Sequence, residues 1–341
     1  MKTVFVTGGA GFIGSAFVRL LLEENSDFEI INFDALTYAG NLENLKEFDE
    51  TRHKFVKGDI TNREEVFNAL PDGCEAIFNF AAESHVDRSI NSASEFVLTN
   101  VLGTQVLLDA ARAKNVRRFC QISTDEVMGS LPEDENTFFT EESPLKPNSP
   151  YAASKASAEH FVRAAHETFG VDTIITRCGN NYGGRQFPEK LIPLVIANAM
   201  NNEPIPLYGD GKYTRDWIFV EDHCRAIRLA FEKGKSGESY NIGARNERQN
   251  LDVVKSILDA LGKPHSLIKF VTDRLGHDRR YAIDAGRVEM ELGWKPRVSW
   301  EEGLQKTIQW YRENQDWVNR VRSGAYRDYY KNLYGMEVGV K

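Results

Sequence analysis

Cysteine is scarce in this 341-residue chain, with four in all (Cys74, Cys120, Cys178, Cys224). They stand far apart, so no metal-ligand spacing arises, and buried thiols in a reducing cytoplasm are expected rather than a disulfide framework. Long apolar runs are missing too. Without 18 consecutive apolar residues, no membrane span is expected. There is no excess of positive charge: the formal net charge is -8, which favours solubility and argues against a nucleic-acid footprint. Neither a Gly/Ser/Pro-rich linker, an internal repeat nor a low-complexity tract divides the chain. The opening residues, MKTVFVTGG, run straight into a strand, so no signal peptide is expected. The length suits one large domain or two intimate ones.

What is present begins with a strand, a glycine turn and a helix over residues 2–24. Gly8, Gly11 and Gly14 form G-x-x-G-x-x-G, with Phe12 and Ile13 opening the helix. Glycine lets backbone approach a pyrophosphate, and a helix N-terminus turns unpaired N–H groups and a positive dipole end toward it. A second strand ends at Asp34, 20 residues after Gly14. An acidic side chain there suits the adenosine ribose hydroxyls and repels a 2′-phosphate, so NAD is expected rather than NADP. The alternative is a turn that merely packs helix on strand. Later strands run out at Asp59-Ile60, at Ala81-Ala82 and at Thr124. In an open parallel sheet these ends meet at one crevice. Asp59 and Ile60 suit the adenine. Asn100, in a helical stretch over 91–114, suits either an anchor near the nicotinamide or helix packing.

Tyr151 and Lys155 lie four apart after Pro150, on one face of a helix. A tyrosine of pKa roughly 10 is a poor base. A neighbouring ammonium and an oxidised nicotinamide stabilise its phenolate, which then takes a proton from a sugar hydroxyl. Lys155 also suits the nicotinamide ribose, and Thr124 suits the same sugar hydroxyl. Asp125-Glu126 follow directly. An acidic turn that caps the next element is one use for such a pair. Beside an alcohol-oxidising site they have another: a ketone at C4 acidifies the C5 proton for Glu126 to remove, and a protonated Asp125 donates to the departing C6 hydroxyl. NAD would end as it began and stay tightly bound.

Together with NFDALTYAGN, NFAAESHVDRSI, TRCGNNYG, QFPEKLIPL, PLYGDGKYTRDWIFVEDH and TDRLGHDRRYAID, these residues resemble the extended short-chain dehydrogenase/reductase superfamily, and within it the dTDP-glucose 4,6-dehydratases. The resemblance spans nearly the whole chain. It implies Tyr151 as base with Lys155 as partner, Thr124 orienting the sugar, Asp125 as acid and Glu126 as C5 base. Ser84 and His85 would lie beside the hexose or nicotinamide, Asn180 and Lys190 on the substrate, and Tyr208 near the base. Arg215, Asn250, Arg274 and His277 would surround diphosphate and nucleoside. The product would be a 4-keto-6-deoxyhexose, a precursor of rhamnose and other deoxysugars. Arg forks suit phosphate oxygens, whereas Arg279 and Arg280 read as structural ion pairs. The chain departs from the family at Met128, where tyrosine is usual, and at Gly184-Arg185, where Pro-Tyr is usual; Met128 is expected to reshape the wall beside the acid-base pair, and Arg185 to add a cation near the substrate entrance.

The expected architecture is α/β: a Rossmann-type, doubly wound, mainly parallel seven-stranded sheet with a smaller C-terminal substrate lobe. The nucleotide-binding part is expected over 1–180 plus 215–245, with the lobe over 181–214 plus 246–341. Segments 215–232 and 239–243 read as a return to the large sheet, and 299–324 as one amphipathic helix with a tryptophan face. The helical stretches 91–114 and 151–169 resemble the superfamily's dimer helices, which implies a homodimer. Competing readings are a UDP-glucose 4,6-dehydratase, a sugar-nucleotide 4-epimerase, which needs no Asp125-Glu126, and a non-catalytic NAD sensor, which needs none of these groups.

Overall fold

The computed structural model describes residues 2–24, 27–133 and 136–323. In chain order the strands are β1 (Lys2–Thr7), β2 (Phe28–Asp34), β3 (His53–Lys57), β4 (Ala76–Asn79), β5 (Arg118–Thr124), β6 (Thr173–Cys178), β7 (Asn180–Tyr182), β8 (Ile205–Tyr208), β9 (Thr214–Phe219), β10 (Ser239–Ile242), β11 (Glu247–Gln249) and β12 (Ile268–Val271).

Alternation along the first strands explains a sheet covered on both faces. Val4 and Val6 of β1, Phe78 of β4 and Cys120 of β5 enter one apolar core with the helices Phe12–Glu23 and Val220–Lys233. Their neighbours Phe5, Ile77 and Phe119 enter the opposite core, under the helices Thr104–Ala113 and Pro150–Phe169. Side chains of successive strand residues point to opposite faces, so each strand serves both layers. The sheet has seven strands in the order β10-β6-β5-β4-β1-β2-β3, and every pairing in it is parallel. The order reverses direction between β1 and β4, which opens a crevice at the strands' carboxyl ends, where doubly wound sheets bind ligands.

The sheet matches the expected fold class, but one segment differs. β9 does not return to the large sheet; it pairs with β7 and β11 in a three-stranded sheet. Its alternation accounts for this. Ile218 faces the large core, whereas Trp217 and Phe219 face a second core with Tyr182, Ile196 and Ile257. β9 is thus the seam between two cores, and only the helix after it and β10 rejoin the large sheet. β8 and β12 form a separate parallel pair.

The stretch 91–114 is also not one helix. Val86–Asn91 and Ala93–Phe96 are interrupted at Ser92, and Val97–Gly103 is a π-helical segment before Thr104–Ala113. Wide turns of this kind recur at functional sites, and this one carries Asn100. At the C-terminal end, two helices, Trp300–Glu313 and Gln315–Val321, replace the single expected one; Gly324, its last residue, and 325–341 of the expected lobe lie outside the described residues. Trp300 and Trp317 pack into the second core, with Trp310 against it.

Candidate active site

Gly8 sits at φ +68°, and a Cβ there would lie 2.6 Å from the backbone nitrogen of Ala81. A Cβ on Gly14 would lie 2.3 Å from the carbonyl oxygen of Gly8. Only glycine lets the turn close this tightly between β4 and the Phe12–Glu23 helix. The result is a cradle at the start of that helix, with Gly11, Phe12, Ile13 and Gly14 on the cavity wall. Asp34, buried at the end of β2, closes one side. Its Oδ2 accepts from the Ala10 N–H at 2.9 Å and its Oδ1 from the Leu36 N–H at 2.8 Å, while burial pushes its pKa upward. Ala81, Ala82, Asp59 and Ile60 lie on the same cavity wall. Turn, dipole end and carboxylate together fit a dinucleotide.

Asn100 does not line this cavity. It is buried, its Nδ2 donates to the Glu83 carbonyl at 2.9 Å and to Ser154 Oγ at 2.8 Å, and its Oδ1 accepts from the Glu83 N–H at 2.9 Å. The π-helical turn thereby pins the loop after β4 to the Pro150–Phe169 helix.

The same cavity continues to Thr124, Asp125, Glu126, Tyr151, Lys155, Ser84, Asn180 and Lys190. β5 ends at Thr124, whose hydroxyl caps the next short turn: it accepts from the Glu126 N–H at 3.3 Å and donates to Asp125 Oδ1 at 3.2 Å. Ser149 caps the helix that follows, with Pro150 in its first turn, so Tyr151 and Lys155 fall on its first two turns. The acid pair and the Tyr-Lys pair thus meet because a strand end and a helix start meet.

The two carboxyls differ. Asp125 is 2 % exposed, and its Oδ2 has no hydrogen-bond partner among the described residues. Burial first, then the neighbouring Glu126, drive its pKa well above the usual carboxylate range. Glu126 is half-buried; burial raises it as well, but Arg274, Lys190 and Arg215 pull it back. Both carboxyls are thus raised, Asp125 with a like charge beside it and Glu126 with three cations opposing the rise. Tyr151 is pushed well above its ordinary value by burial and then by Glu126, so it rests as a phenol. Lys155 donates to the Ile122 carbonyl at 2.6 Å, and burial brings its pKa down to about 8.

The remaining sequence-derived residues form a shell beyond the cavity. Arg215 donates to the carbonyls of Asp278 at 2.8 Å and Thr214 at 2.8 Å and lies 4.2 Å over the Tyr281 ring. Arg274 stands 3.8 Å from Asp87. Tyr208 donates to Asp87 at 3.2 Å. His85, buried, is 3.7 Å from Asp87 and is kept neutral by burial. His277 stacks on Tyr213 at 3.6 Å and bonds Asp273 at 2.7 Å, and burial takes its pKa down to about 3. Asn250 opens the Asn250–Leu261 helix, with a buried Oδ1 that has no partner among the described residues. Lys190, at the cavity wall, donates to the Ser84 carbonyl at 2.8 Å.

Sequence reasoning missed Asp87, which ties together Tyr208, Arg274 and His85; the DRS within NFAAESHVDRSI was its signal. It also missed Glu189, a buried carboxyl on the cavity wall beside Arg88 at 3.4 Å. Arg279 and Arg280 are structural, as read: Arg280 forks onto Glu247 at 2.7 and 3.0 Å, and Arg279 onto Asp210. The two departures sit elsewhere than expected. Met128 is buried with Val127, Phe139, Ala156 and Tyr281, turned from the cavity. A Cβ on Gly184 would lie 2.6 Å from the Trp310 ring, and Arg185 pairs with Glu47 at 3.2 Å over that ring. Both residues face the C-terminal helices and Arg185 also the 43–47 segment, and neither lies on the cavity wall.

The GDP-mannose 4,6 dehydratase family matches residues 5–307. The dTDP-glucose 4,6-dehydratase of Salmonella typhimurium is 49 % identical over 97 % of this chain and 98 % of its own length, and that of Xanthomonas campestris is 51 % identical over 96 % and 98 %. Among solved structures, DesIV, a dTDP-glucose 4,6-dehydratase from Streptomyces venezuelae with NAD and TYD bound, superposes with a TM-score of 0.91 at 49 % identity, over 94 % of this chain and all of that one. The UDP-glucose 4-epimerase of Thermus thermophilus, in complex with NAD, superposes at 0.84 and 30 % identity, over 92 % of this chain and all of that one. With a glycine cradle, a Tyr-Lys pair and an unequal acid pair in one crevice, and relatives at half identity over nearly its full length, the chain belongs to the dTDP-glucose 4,6-dehydratases of the GDP-mannose 4,6 dehydratase family.

Proposed function

We propose that this chain converts dTDP-glucose to dTDP-4-keto-6-deoxy-glucose through the residues gathered in this one cavity. NAD, held in the glycine cradle, supplies the chemistry of taking hydride from C4 and giving it back at C6. Tyr151 removes the C4 hydroxyl proton while Thr124 holds that hydroxyl. Because burial and Glu126 hold Tyr151 as a phenol, its proton transfer depends on positive charge at this wall, and Lys155 is the chain's own contribution. Glu126 removes the C5 proton, and Asp125 gives its proton to the C6 hydroxyl, which leaves as water. As C6 takes up hydride a proton returns to C5 from Glu126, and the proton Tyr151 took from the C4 hydroxyl balances the one Asp125 gave at C6, so the sugar loses one water and no net acid or base is consumed. Ser84, Asn180 and Lys190 hold the hexose. Arg215, Arg274, His277 and Asn250 face the diphosphate and nucleoside, with Tyr208 and His85 fixed behind them on Asp87.

The observation that carries this reading is the unequal pair. A 4-epimerase returns hydride to C4 and has no use for a buried protonated Asp125 beside a cation-surrounded Glu126. The test is a competition: equal dTDP-glucose and UDP-glucose, no added NAD, products followed by mass and by the 4-keto carbonyl. Loss of one water chiefly from the dTDP sugar is expected. Loss chiefly from the UDP sugar would change the nucleotide, and an unchanged mass with galactose configuration would mean epimerisation.

The two-part division stands on the two cores on either side of β9, with the large sheet carrying NAD and the smaller sheets carrying substrate. A homodimer is supported by Val97, Leu98, Leu102 and Phe161, large apolar side chains 42–54 % exposed on neighbouring helices. A mass of one chain in solution at micromolar protein would exclude it. Four buried thiols fit a reducing cytoplasm.

A further inference from the structure

His223 is wholly buried in the first turn of the Val220–Lys233 helix, and the mechanism above does not use it. Its Nδ1 lies 2.9 Å from Asn181 Oδ1. Its Nε2 has no hydrogen-bond partner among the described residues, so the polar commitment of the ring goes to Asn181.

The direction of that bond follows from the rest of the network. Asn181 Nδ2 lies 3.1 Å from the Gly179 carbonyl oxygen and 3.4 Å from Cys178 Sγ. The opposite amide orientation would set two oxygens against each other, so the NH₂ faces Gly179 and Oδ1 faces the imidazole. Oδ1 can only accept, so Nδ1 of His223 carries a proton, and full burial with no partner at Nε2 among the described residues keeps the ring neutral. The backbone carbonyl of Asn181 is held in turn, accepting from Gln186 Nε2 at 3.0 Å.

What Asn181 secures is the turn between β6 and β7. Cys178, Gly179, Asn180 and Asn181 all line the catalytic cavity, as does Gln186. Cys178 ends the strand paired with β5 in register with Thr124, and Asn180 is one of the proposed hexose contacts. The backbone turns here from the large sheet into the three-stranded one, with a glycine at the turn whose Cβ would meet the Asp216 carbonyl at 2.6 Å. The Gly179 N–H bonds the Ile242 carbonyl at 3.2 Å and Cys178 Sγ the Ser123 carbonyl at 3.5 Å, and Asn181 ties the turn to the Val220–Lys233 helix through His223. We infer that His223 is a positioning residue for the dehydration: through its Nδ1–H it orients Asn181, and Asn181 holds the Cys178–Asn180 turn at the height where Asn180 meets the hexose.

This inference rests on the dehydratase reading, and its test separates the two. Asparagine can present an N–H where His223 Nδ1 stands, glutamine one nearer Nε2, and leucine none. In the NAD-loaded enzyme, His223→Leu and His223→Gln should lower kcat on dTDP-glucose by about 10–100-fold, the scale of a misplaced substrate contact. KM and bound NAD should stay close to the parent values, and His223→Asn should recover most of the loss. Asn181→Leu should match His223→Leu, and the double variant should be no worse than either. Independently of turnover, long-range ¹⁵N–¹H correlations of histidine-labelled protein should show the Nδ1–H tautomer for His223. Equal kcat for the Asn and Gln variants, an undiminished kcat in His223→Leu, or an Nε2–H tautomer would overturn the inference. If His223→Leu does not fold, the Asn/Gln contrast decides, and if neither folds the tautomer does. A parent enzyme that removes no water from dTDP-glucose would instead end the dehydratase reading, with the tautomer still measurable.

Discussion

The proposed reacting end of the cavity and the proposed anion-binding shell beyond it are built differently. At the reacting end, four of the five groups come from two short stretches: Asp125 and Glu126 directly after β5, and Tyr151 and Lys155 from the start of one helix. Asp125, Tyr151 and Lys155 are buried and Glu126 half-buried, and Asp125 keeps a carboxyl oxygen with no partner among the described residues. In the shell the polar groups arrive from distant parts of the chain and are already engaged: the cations Arg215 on the carbonyls of Thr214 and Asp278 and Arg274 toward Asp87, and the imidazole of His277 between Tyr213 and Asp273. The difference teaches that proton transfer and anion binding make opposite demands. A group that moves a proton needs a perturbed pKa and spare hydrogen-bonding capacity, which burial supplies. A group that grips a phosphate needs a fixed direction, which prior bonds to the protein supply, at the cost of sharing the donor.

If the reacting end works as assigned, Tyr151→Phe should reduce hydride transfer in single turnovers by about 10²–10⁴-fold. NAD content should be unchanged, because the cradle is intact. A parental rate would remove Tyr151 from the reaction. Glu126→Gln should preserve sugar oxidation yet abolish deuterium wash-in at C5, read by mass spectrometry of recovered sugar nucleotide in D₂O; wash-in at the parent rate would assign the base elsewhere. The shell should respond in a different parameter. Arg215→Ala removes a buried, hydrogen-bonded guanidinium, and the dissociation constant for dTDP should rise by about 30-fold or more, the equivalent of roughly 2–5 kcal/mol. Titration calorimetry would read this, and a kcat effect without an affinity effect would erase the contrast between the two regions.

A smaller effect comes with pH. Burial lowers Lys155 to about 8, so its ammonium is lost as pH rises through that value and kcat should fall on the alkaline side with a midpoint near it. Bound NAD adds a positive charge and moves the midpoint lower still. A rate flat to pH 10 would take the ammonium out of the mechanism. The weakest expected signal concerns His223, whose pKa burial lowers to about 3 from an ordinary 6.5. Between those values the unfolded chain binds the proton and the folded one does not, so the His223 contribution to stability is present above 6.5 and lost as pH falls toward 3. Chemical denaturation across that window should show a shallower loss in His223→Asn than in the parent.

Much of the reacting end was legible because its parts are local. A glycine turn after an apolar strand, an acid at the end of the next, and a Tyr-Lys pair after a helix-starting Pro each announce themselves within a few residues. β9 shows where legibility stopped. Its apolar alternation fits any half-buried strand, and nothing within residues 214–219 says which sheet it joins; that choice depends on Trp217 and Phe219 meeting a core assembled from helices 191–200 and 250–261. The interrupted stretch 91–114 failed for a related reason, since the π-helical turn is stabilised by what Asn100 reaches at Glu83 and Ser154 rather than by its own residues.

Sequence by itself determined the alternating strands and helices, the residues at the strand ends and the candidate groups that meet in the cavity, because periodicity and local turn chemistry encode them. Only the tertiary structure decided that Asp125 is more deeply buried than Glu126, that Met128 and Arg185 lie off the cavity wall, and that Asp87 and His223 stand behind it. Those outcomes depend on burial and on charges brought together from far along the chain, and desolvation and Coulomb interactions act through space, without regard to sequence separation.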